Sequence, residues 1–419
     1  MDKEKDLMRQ EQKELLRQRV INTKELEEER ELQEKVRRHK RKIRFRILIG
    51  IAVVILMGIA YFIYDIGREF RSYAIDWEFS NEGSDSLQYI AFGNSVLQYS
   101  KSGASYIDEK GAIVWTAPYE MKNPKAYVQG QYAVVADING TTIVVVSKEK
   151  GLEGTITNGY SISKVDIAKQ GMIAVVGEAS EVSYINYYEK DGTPLDIEIK
   201  TPLATMGYPL SISLSPSGTQ LMVSYLYVSG GLMKNKVVFY NMDEVGESYT
   251  DRLVGGFEHY SDTNTMVPIV EFLDESTAVA YGDNMLSIYS LKKQNQPSIV
   301  TEITFSTEEE EMQVESVFSD SDNIGVVLVN ENDEKEIRIY DTKGKVDFSK
   351  KIDFLYDEIY IANNFVVMYN SRDCKIYNMN GGTKYDNEFE SGIAKMIPTN
   401  NRKKFILVTG NKIFGIHLK

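Results

Sequence analysis

The run Ala133-Val134-Val135-Ala136 lies between Tyr132 and the turn-forming residues Asp137-Ile138-Asn139-Gly140. Four apolar residues in succession, closed by a turn, read as a short strand covered on both faces, because a strand with one wet face would alternate. Nearly continuous runs of the same kind recur at Val96–Tyr99, Met172–Val176, Leu221–Tyr225, Ala278–Tyr281, Val326–Val329, Phe365–Tyr369 and Phe405–Val408, which makes eight. Their starts are 37, 39, 49, 57, 48, 39 and 40 residues apart. A second strand follows each run and often ends on an aromatic, as at Tyr187-Tyr188, Phe239-Tyr240 and Ile339-Tyr340.

A period near 40–45 residues is what four short strands and their turns require, and it points to a β-propeller whose inner strands are buried and whose outer strands are wetter. Eight blades fit the count, and seven fit if one unit is misread. The last unit stops after Lys412–Leu418 without an outermost strand, whereas the first is preceded by a spare one, Ile75–Phe79. The spare strand is predicted to complete the last blade, closing the ring and removing open sheet edges. The propeller is therefore expected over residues 75–419.

Upstream lies Ile47–Tyr64, eighteen residues without a charge. As a helix it would be roughly 27 Å long, the thickness of a bilayer's hydrocarbon core. Residues 1–46 read as a charged, partly helical cytoplasmic tail, 47–64 as a transmembrane helix and 65–74 as a linker. Eight Lys or Arg residues and no acid lie between Lys35 and Arg46. The positive-inside rule then places the N-terminus in the cytoplasm and the propeller outside the cell membrane. The rival reading, a cleaved signal peptide ending near Gly58 and Ala60, is disfavoured by the 46-residue, largely polar segment that precedes the apolar run.

Charge divides at the same place. Residues 1–46 carry a net +5 and the remainder a net −18. An acidic exterior argues against nucleic acid and would accept cationic partners. With one cysteine, Cys374, the exported part has no internal disulfide and must be stabilised by burial. Cys374 itself reads as a buried small hydrophobe.

The stretch Asp108 to Trp115, with Gly111 between, follows a D-x-x-G-x-x-x-W pattern. It resembles the repeat of quinoprotein-like propellers, in which the turn glycine precedes a tryptophan that docks between blades. Looser copies are Asp341-Gly344-Phe348 and Asn378-Gly381-Tyr385, and Ser215-Pro216-Ser217-Gly218 resembles a turn of WD40-like propellers. The whole layout is similar to an uncharacterised family of single-span, membrane-anchored propeller proteins of Gram-positive, clostridia-like bacteria. That resemblance implies location and fold, and no activity.

Chemistry is sparse. The three histidines, His39, His259 and His417, are scattered, and there is no H-E-x-x-H, P-loop or G-x-S-x-G motif. Asp137–Gly140 and Asp320–Asn323 have a calcium-like composition without the remaining ligands and read as hairpin turns. No cofactor, metal or catalytic residue is expected. The quinoprotein resemblance would imply a dehydrogenase, but such enzymes are usually longer and often carry a vicinal disulfide that one cysteine cannot make.

The fourth unit carries extra length at Ser229–Asn235 and Gly255–Asp262. Inserts on propellers lie on faces or rims, so Phe257, His259 and Tyr260 are the candidate binding residues. The functional expectation is a non-enzymatic protein-binding or scaffolding module of the cell envelope, with an envelope protein or wall polymer as partner. The alternative is a ligand sensor coupling the propeller to the tail through the single span.

Overall fold

The computed structural model describes residues 2–80, 87–307 and 310–419. The chain divides into two compact units between Arg68 and Glu69. The first is one continuous α-helix, Asp2–Gly67. Its Arg37–Ala60 segment is long and apolar enough to cross a membrane, and its side chains are exposed throughout.

The second unit is an eight-bladed β-propeller. The described residues form eight four-stranded antiparallel sheets, each built from consecutive strands except the last. The eighth blade joins Lys395–Pro398, Lys404–Val408 and Lys412–Leu418 to the N-terminal strand Tyr73–Ser80, as the spare strand predicts. Tyr73 lies opposite Leu418 and Ser80 opposite Lys412. Backbone pairing carries this closure, and side chains add to it: Lys404 reaches Asp76 at 2.9 Å and Lys412 reaches Glu78 at 2.6 Å.

The first strands of neighbouring blades abut around the axis, as in Pro124–Gln129 beside Ser161–Ile167 and Tyr208–Leu214 beside Ile269–Phe272. The eight apolar runs are not these innermost strands. Ala133–Ala136 falls in Tyr132–Asp137, the second strand of its blade, and all four of its residues are fully buried. The innermost strands border the channel, so they carry polar residues such as Lys164, Asp166, Glu271 and Glu358 between apolar ones. The second strand, one layer out, has sheet on both edges and another blade on both faces. Apolar clusters accordingly fill the seams, for example Leu97, Ala133, Val135 and Val146 between blades 1 and 2.

The outer rim has its own device. Asp108 accepts the backbone N–H groups of Lys110 and Ala112, shaping a turn in which Gly111 sits at φ +84°. The ring of Trp77, on the outermost strand of blade 8, lies on that glycine, where a Cβ would come within 2.7 Å of it. Trp115 does the same on Gly151 of blade 2, and its indole N–H donates to the Lys148 carbonyl at 3.1 Å. Phe348 lies on Gly381 in the same way between blades 6 and 7.

Candidate functional site

Strand direction assigns the two faces of the propeller. Within each blade the strands alternate in direction. The turns joining strands 1–2 and 3–4 therefore share one face, and the hairpins joining strands 2–3 share the other with the crossovers between blades. Tyr73 opposite Leu418 puts the chain's entry on the first of these, the entry face. The residues just before it are fixed there, since the Phe70 N–H donates to Lys384 and the Arg71 N–H to the C-terminal Lys419 carbonyl. Two features distinguish this propeller from a plain ring, a cavity along its axis and a hairpin on the opposite, far face.

One feature is the channel. A cavity of about 680 Å³ opens among the inner strands of blades 1, 5, 6, 7 and 8. Its size falls within the range of small-molecule pockets. Its walls are mainly apolar, with Ile90, Ile269, Val317 and Ile359 among them. Lys395 bridges both carboxylate oxygens of Glu358 at 2.5 and 2.8 Å, and the Tyr369 hydroxyl donates to the same carboxylate at 2.6 Å. Burial first, then that hydrogen bond and the Glu358 charge, push the Tyr369 phenol well above its usual range. The Tyr356 hydroxyl donates to Ser316 and that of Tyr360 to the Met396 carbonyl, so blade 7 is latched to blades 6 and 8 along the wall.

Elsewhere on the inner strands two carboxylates perform the same stitching. Asp166 of blade 3 accepts the Leu214 N–H of blade 4 at 2.7 Å, and Glu271 of blade 5 accepts the Ser319 hydroxyl of blade 6 at 2.6 Å. Burial pushes the Asp166 carboxyl up to about 7, against the pull of its two backbone donors and with a further push from Glu271. Burial also raises Glu271. Raised carboxyls can serve acid–base chemistry, but here both are committed to holding neighbouring blades together. The two propeller histidines are likewise engaged, His259 with Glu302 and His417 with Asp76. Among the described residues no cluster of His, Cys, Asp or Glu is placed to hold a metal ion. Cys374 is fully buried against the Met396 sulfur, and desolvation raises its thiol far out of the reactive range.

The second feature is the central hairpin of blade 4. Its strands, Gln220–Ser229 and Leu232–Asn241, are ten residues each, the longest in the propeller. The inner strand accompanies them only as far as Leu226, and the outer strand only as far as Val237. The remainder, ending in the pair Ser229–Leu232, stands free of the blade by roughly 10 Å at about 3.3 Å per residue. Gly230 and Gly231 close it with φ of 63° and 80°, the left-handed pair that a two-residue type I′ turn requires. Val228, Leu232 and Met233 at the tip are 69, 66 and 65 % exposed.

Its root is rigid. The buried Asn235 amide donates to Ser224 Oγ and the Tyr225 carbonyl and accepts the Val267 N–H. Ser224 in turn donates to the Val267 carbonyl at 2.7 Å. On the other side the crossover at Gly207 lies so close that a Cβ there would meet the Leu226 carbonyl and the Tyr227 side chain.

The residues singled out from sequence lie beside this root and face inward. Tyr260 is 1 % exposed, and its hydroxyl is hydrogen-bonded to that of Tyr289. The Phe257 ring is 4.8 Å from that of Tyr289 and edge-on to Phe239 at 5.9 Å. His259 packs on Tyr260 at 4.1 Å and is paired with Glu302. Together they plug the seam between blades 4 and 5, which leaves the half-buried Phe257 and His259 as the surface a partner could reach there. The exposed tip overlaps the insert at Ser229–Asn235, with Val228 just before it. An insert is expected on a face or rim, and Leu232 and Met233 in it are exposed, although the candidate residues were drawn from the second insert, Gly255–Asp262.

The eight-bladed ring, its channel and the built-up far face define the class of the protein by its fold, a β-propeller. The chain belongs to the family of unknown function DUF5711, whose model matches residues 66–418. No curated protein matches it. Among solved structures it is similar to Saccharomyces cerevisiae Sqt1, at 13 % identity and TM-score 0.53, covering 83 % of this chain and 98 % of that one. It is similar too to BamB from Moraxella catarrhalis, at 9 % identity and TM-score 0.51, covering 83 % and 98 %. Chaetomium thermophilum Sqt1 bound to the N-terminus of the ribosomal protein L10 matches at 10 % identity and TM-score 0.53, covering 81 % and 98 %. At such identities the likeness is one of fold.

Proposed function

We propose that this protein is a non-enzymatic binding scaffold of a bacterial, Gram-positive-type envelope. A single membrane span holds it, with residues 1–46 in the cytoplasm and the propeller outside. The observation that carries the reading is the opposition of the two faces. The strand that follows the apolar helix enters on one face, and the rigid hairpin of blade 4 lies toward the other. A propeller tethered in this way offers its far face to a protein. The basic residues from Lys35 to Arg46 favour this orientation. Chaetomium thermophilum Sqt1, similar in fold and bound to the N-terminus of the ribosomal protein L10, is a precedent for the mode, not for the partner.

The test is cross-linking of the full-length protein in intact cells, read by mass spectrometry, beside a copy lacking residues 1–34. Recovery of the same envelope proteins from both supports the scaffold. Cytoplasmic partners that disappear with the tail would overturn it.

A second reading, a ligand sensor signalling through the span, is favoured by the 680 Å³ channel cavity. It requires a small molecule in that cavity and an effect that needs the tail.

A further inference from the structure

The apolar tip of the blade 4 hairpin stands on a charged ring. Four exposed carboxylate residues surround its foot: Glu181, Glu258, Asp262 and Asp283. Glu258 and Asp262 are on the crossover from blade 4 to blade 5, and Glu181 and Asp283 are on the central hairpins of blades 3 and 5, each bonded to a crossover that flanks the foot. The Glu181 carbonyl accepts the Leu203 N–H, Asp262 follows Ser261, which bonds Tyr227 and Asn235 on the hairpin, and Asp283 accepts the Met266 N–H. The basic residues nearby are paired or partly withdrawn, and the exposed one, Lys200 of blade 3, lies 3.9 Å from Glu198. The Lys236 ammonium is buried, 4.9 Å from the Tyr227 ring centroid and 4.0 Å from Glu258, and donates to the Thr205 carbonyl; Lys234 is only half-exposed. Leu203 and Met266, 37 and 39 % exposed on the two flanking crossovers, extend the apolar surface. An apolar centre with a charged rim is the build of a protein-binding hot spot.

We propose that Val228, Leu232 and Met233 form the anchor by which this propeller docks into an apolar groove of a protein partner whose groove is edged by Lys or Arg. This rests on the reading of the propeller as a protein-binding scaffold and names the surface and the chemistry of its partner. Charge decides between occupants. A bilayer with anionic head groups would repel four carboxylates around the inserting tip. A second copy meeting this one symmetrically would set acidic rim against acidic rim. A basic-rimmed protein groove alone complements both parts. The free stem past Leu226 is three residues long, too short for strand addition to carry the affinity, so the side chains at the tip must.

The test places a photo-cross-linking amino acid at Met233 of the full-length protein in cells, and at Asn411, on the far face in the hairpin of blade 8, as control. The expected result is a Met233-specific adduct whose partner peptide is apolar and flanked by Lys or Arg. With purified full-length protein and that partner, Val228→Ser/Leu232→Ser/Met233→Ser should weaken binding at least about tenfold, and Asp262→Lys should weaken it too, with no change in thermal midpoint for either. An adduct with lipid or with the protein's own chain overturns the proposal, and so does a partner peptide without basic residues. If the envelope partners of the tail-deletion experiment persist with the triple serine variant, the hairpin proposal fails while the scaffold reading stands. If no envelope partner is recovered from any position, both fail.

Discussion

Two seams of this ring solve one packing problem with opposite parts. Between blades 1 and 2, Trp115 on an outer strand lies over Gly151 on the neighbouring turn. Between blades 4 and 5 the glycine is on the outer strand, at Gly255, and a Cβ there would lie 3.1 Å from Pro297 of the facing turn. Aromatic volume has moved off the rim into a second layer, where Phe239, Phe257, Tyr260 and Tyr289 pack together. The first seam is closed at the surface by one large residue. The second is closed from within by several, and so its crossover, residues 258–268, is free to run along the far face and brace the blade 4 hairpin. Departure from the repeat marks where the far face is built up.

The glycine is the sharpest place to break the first arrangement. Gly111 has φ +84° and Trp77 directly above it, so Gly111→Val meets both a left-handed backbone and a ring contact shorter than 3 Å. We expect a loss of roughly 4 kcal/mol from strain and displaced packing together, read as a fall in the urea midpoint of the propeller. A loss under 1 kcal/mol would mean that the Trp77 stack is incidental. Trp115→Ala comes next. The indole is only partly buried, so about 3 kcal/mol is expected rather than the upper end for a tryptophan. The matched change on the other seam, Tyr260→Phe, removes one hydroxyl pair and keeps the ring, and should cost about 1 kcal/mol. If Tyr260→Phe costs as much as Trp115→Ala, the contrast between the seams collapses.

Much of this was legible in the sequence, and unevenly so. The blade count followed from runs such as Ala133–Ala136, because a strand with sheet on both edges and blades on both faces has no polar position to reveal alternation. Closure followed from Ile75–Phe79, a strand with no sheet of its own. The innermost strands were not separable from the second ones, since whether Asp166 or Glu271 meets solvent depends on the axis of the assembled ring. Phe257, His259 and Tyr260 fell in a glycine-rich insert, the usual sign of surface. Their burial is created by Tyr289, about thirty residues further on in the next blade. Leu232 and Met233 lie in the other glycine-containing insert, where exposure is expected, yet strand-borne apolar residues such as these and Val228 normally face a neighbour. Only the register, which leaves both edges free past Leu226 and Val237, shows that they have none.

The closing seam supplies the smallest effect. It joins the two ends of the propeller, and its conspicuous side-chain contacts are ionic: Asp76 receives Lys404 at 2.9 Å and His417 at 2.6 Å. Lys404, then His417, hold the Asp76 carboxyl below its usual value. A carboxyl depressed in the folded state adds stability above its unfolded pKa and loses it as pH falls through the folded one. The group lies largely in solvent, where screening keeps such pairs to about 0.5 kcal/mol. Asp76→Asn should therefore lower the thermal midpoint by about 1 °C at pH 7 and leave it unchanged near pH 2. A shift of many degrees at pH 7 would mean that charge holds the ring shut. The small shift expected here assigns closure to the backbone ladder from Tyr73 to Ser80 and to Trp77, whose indole fills the space over Gly415 and Gly111 and ties the last blade to the first.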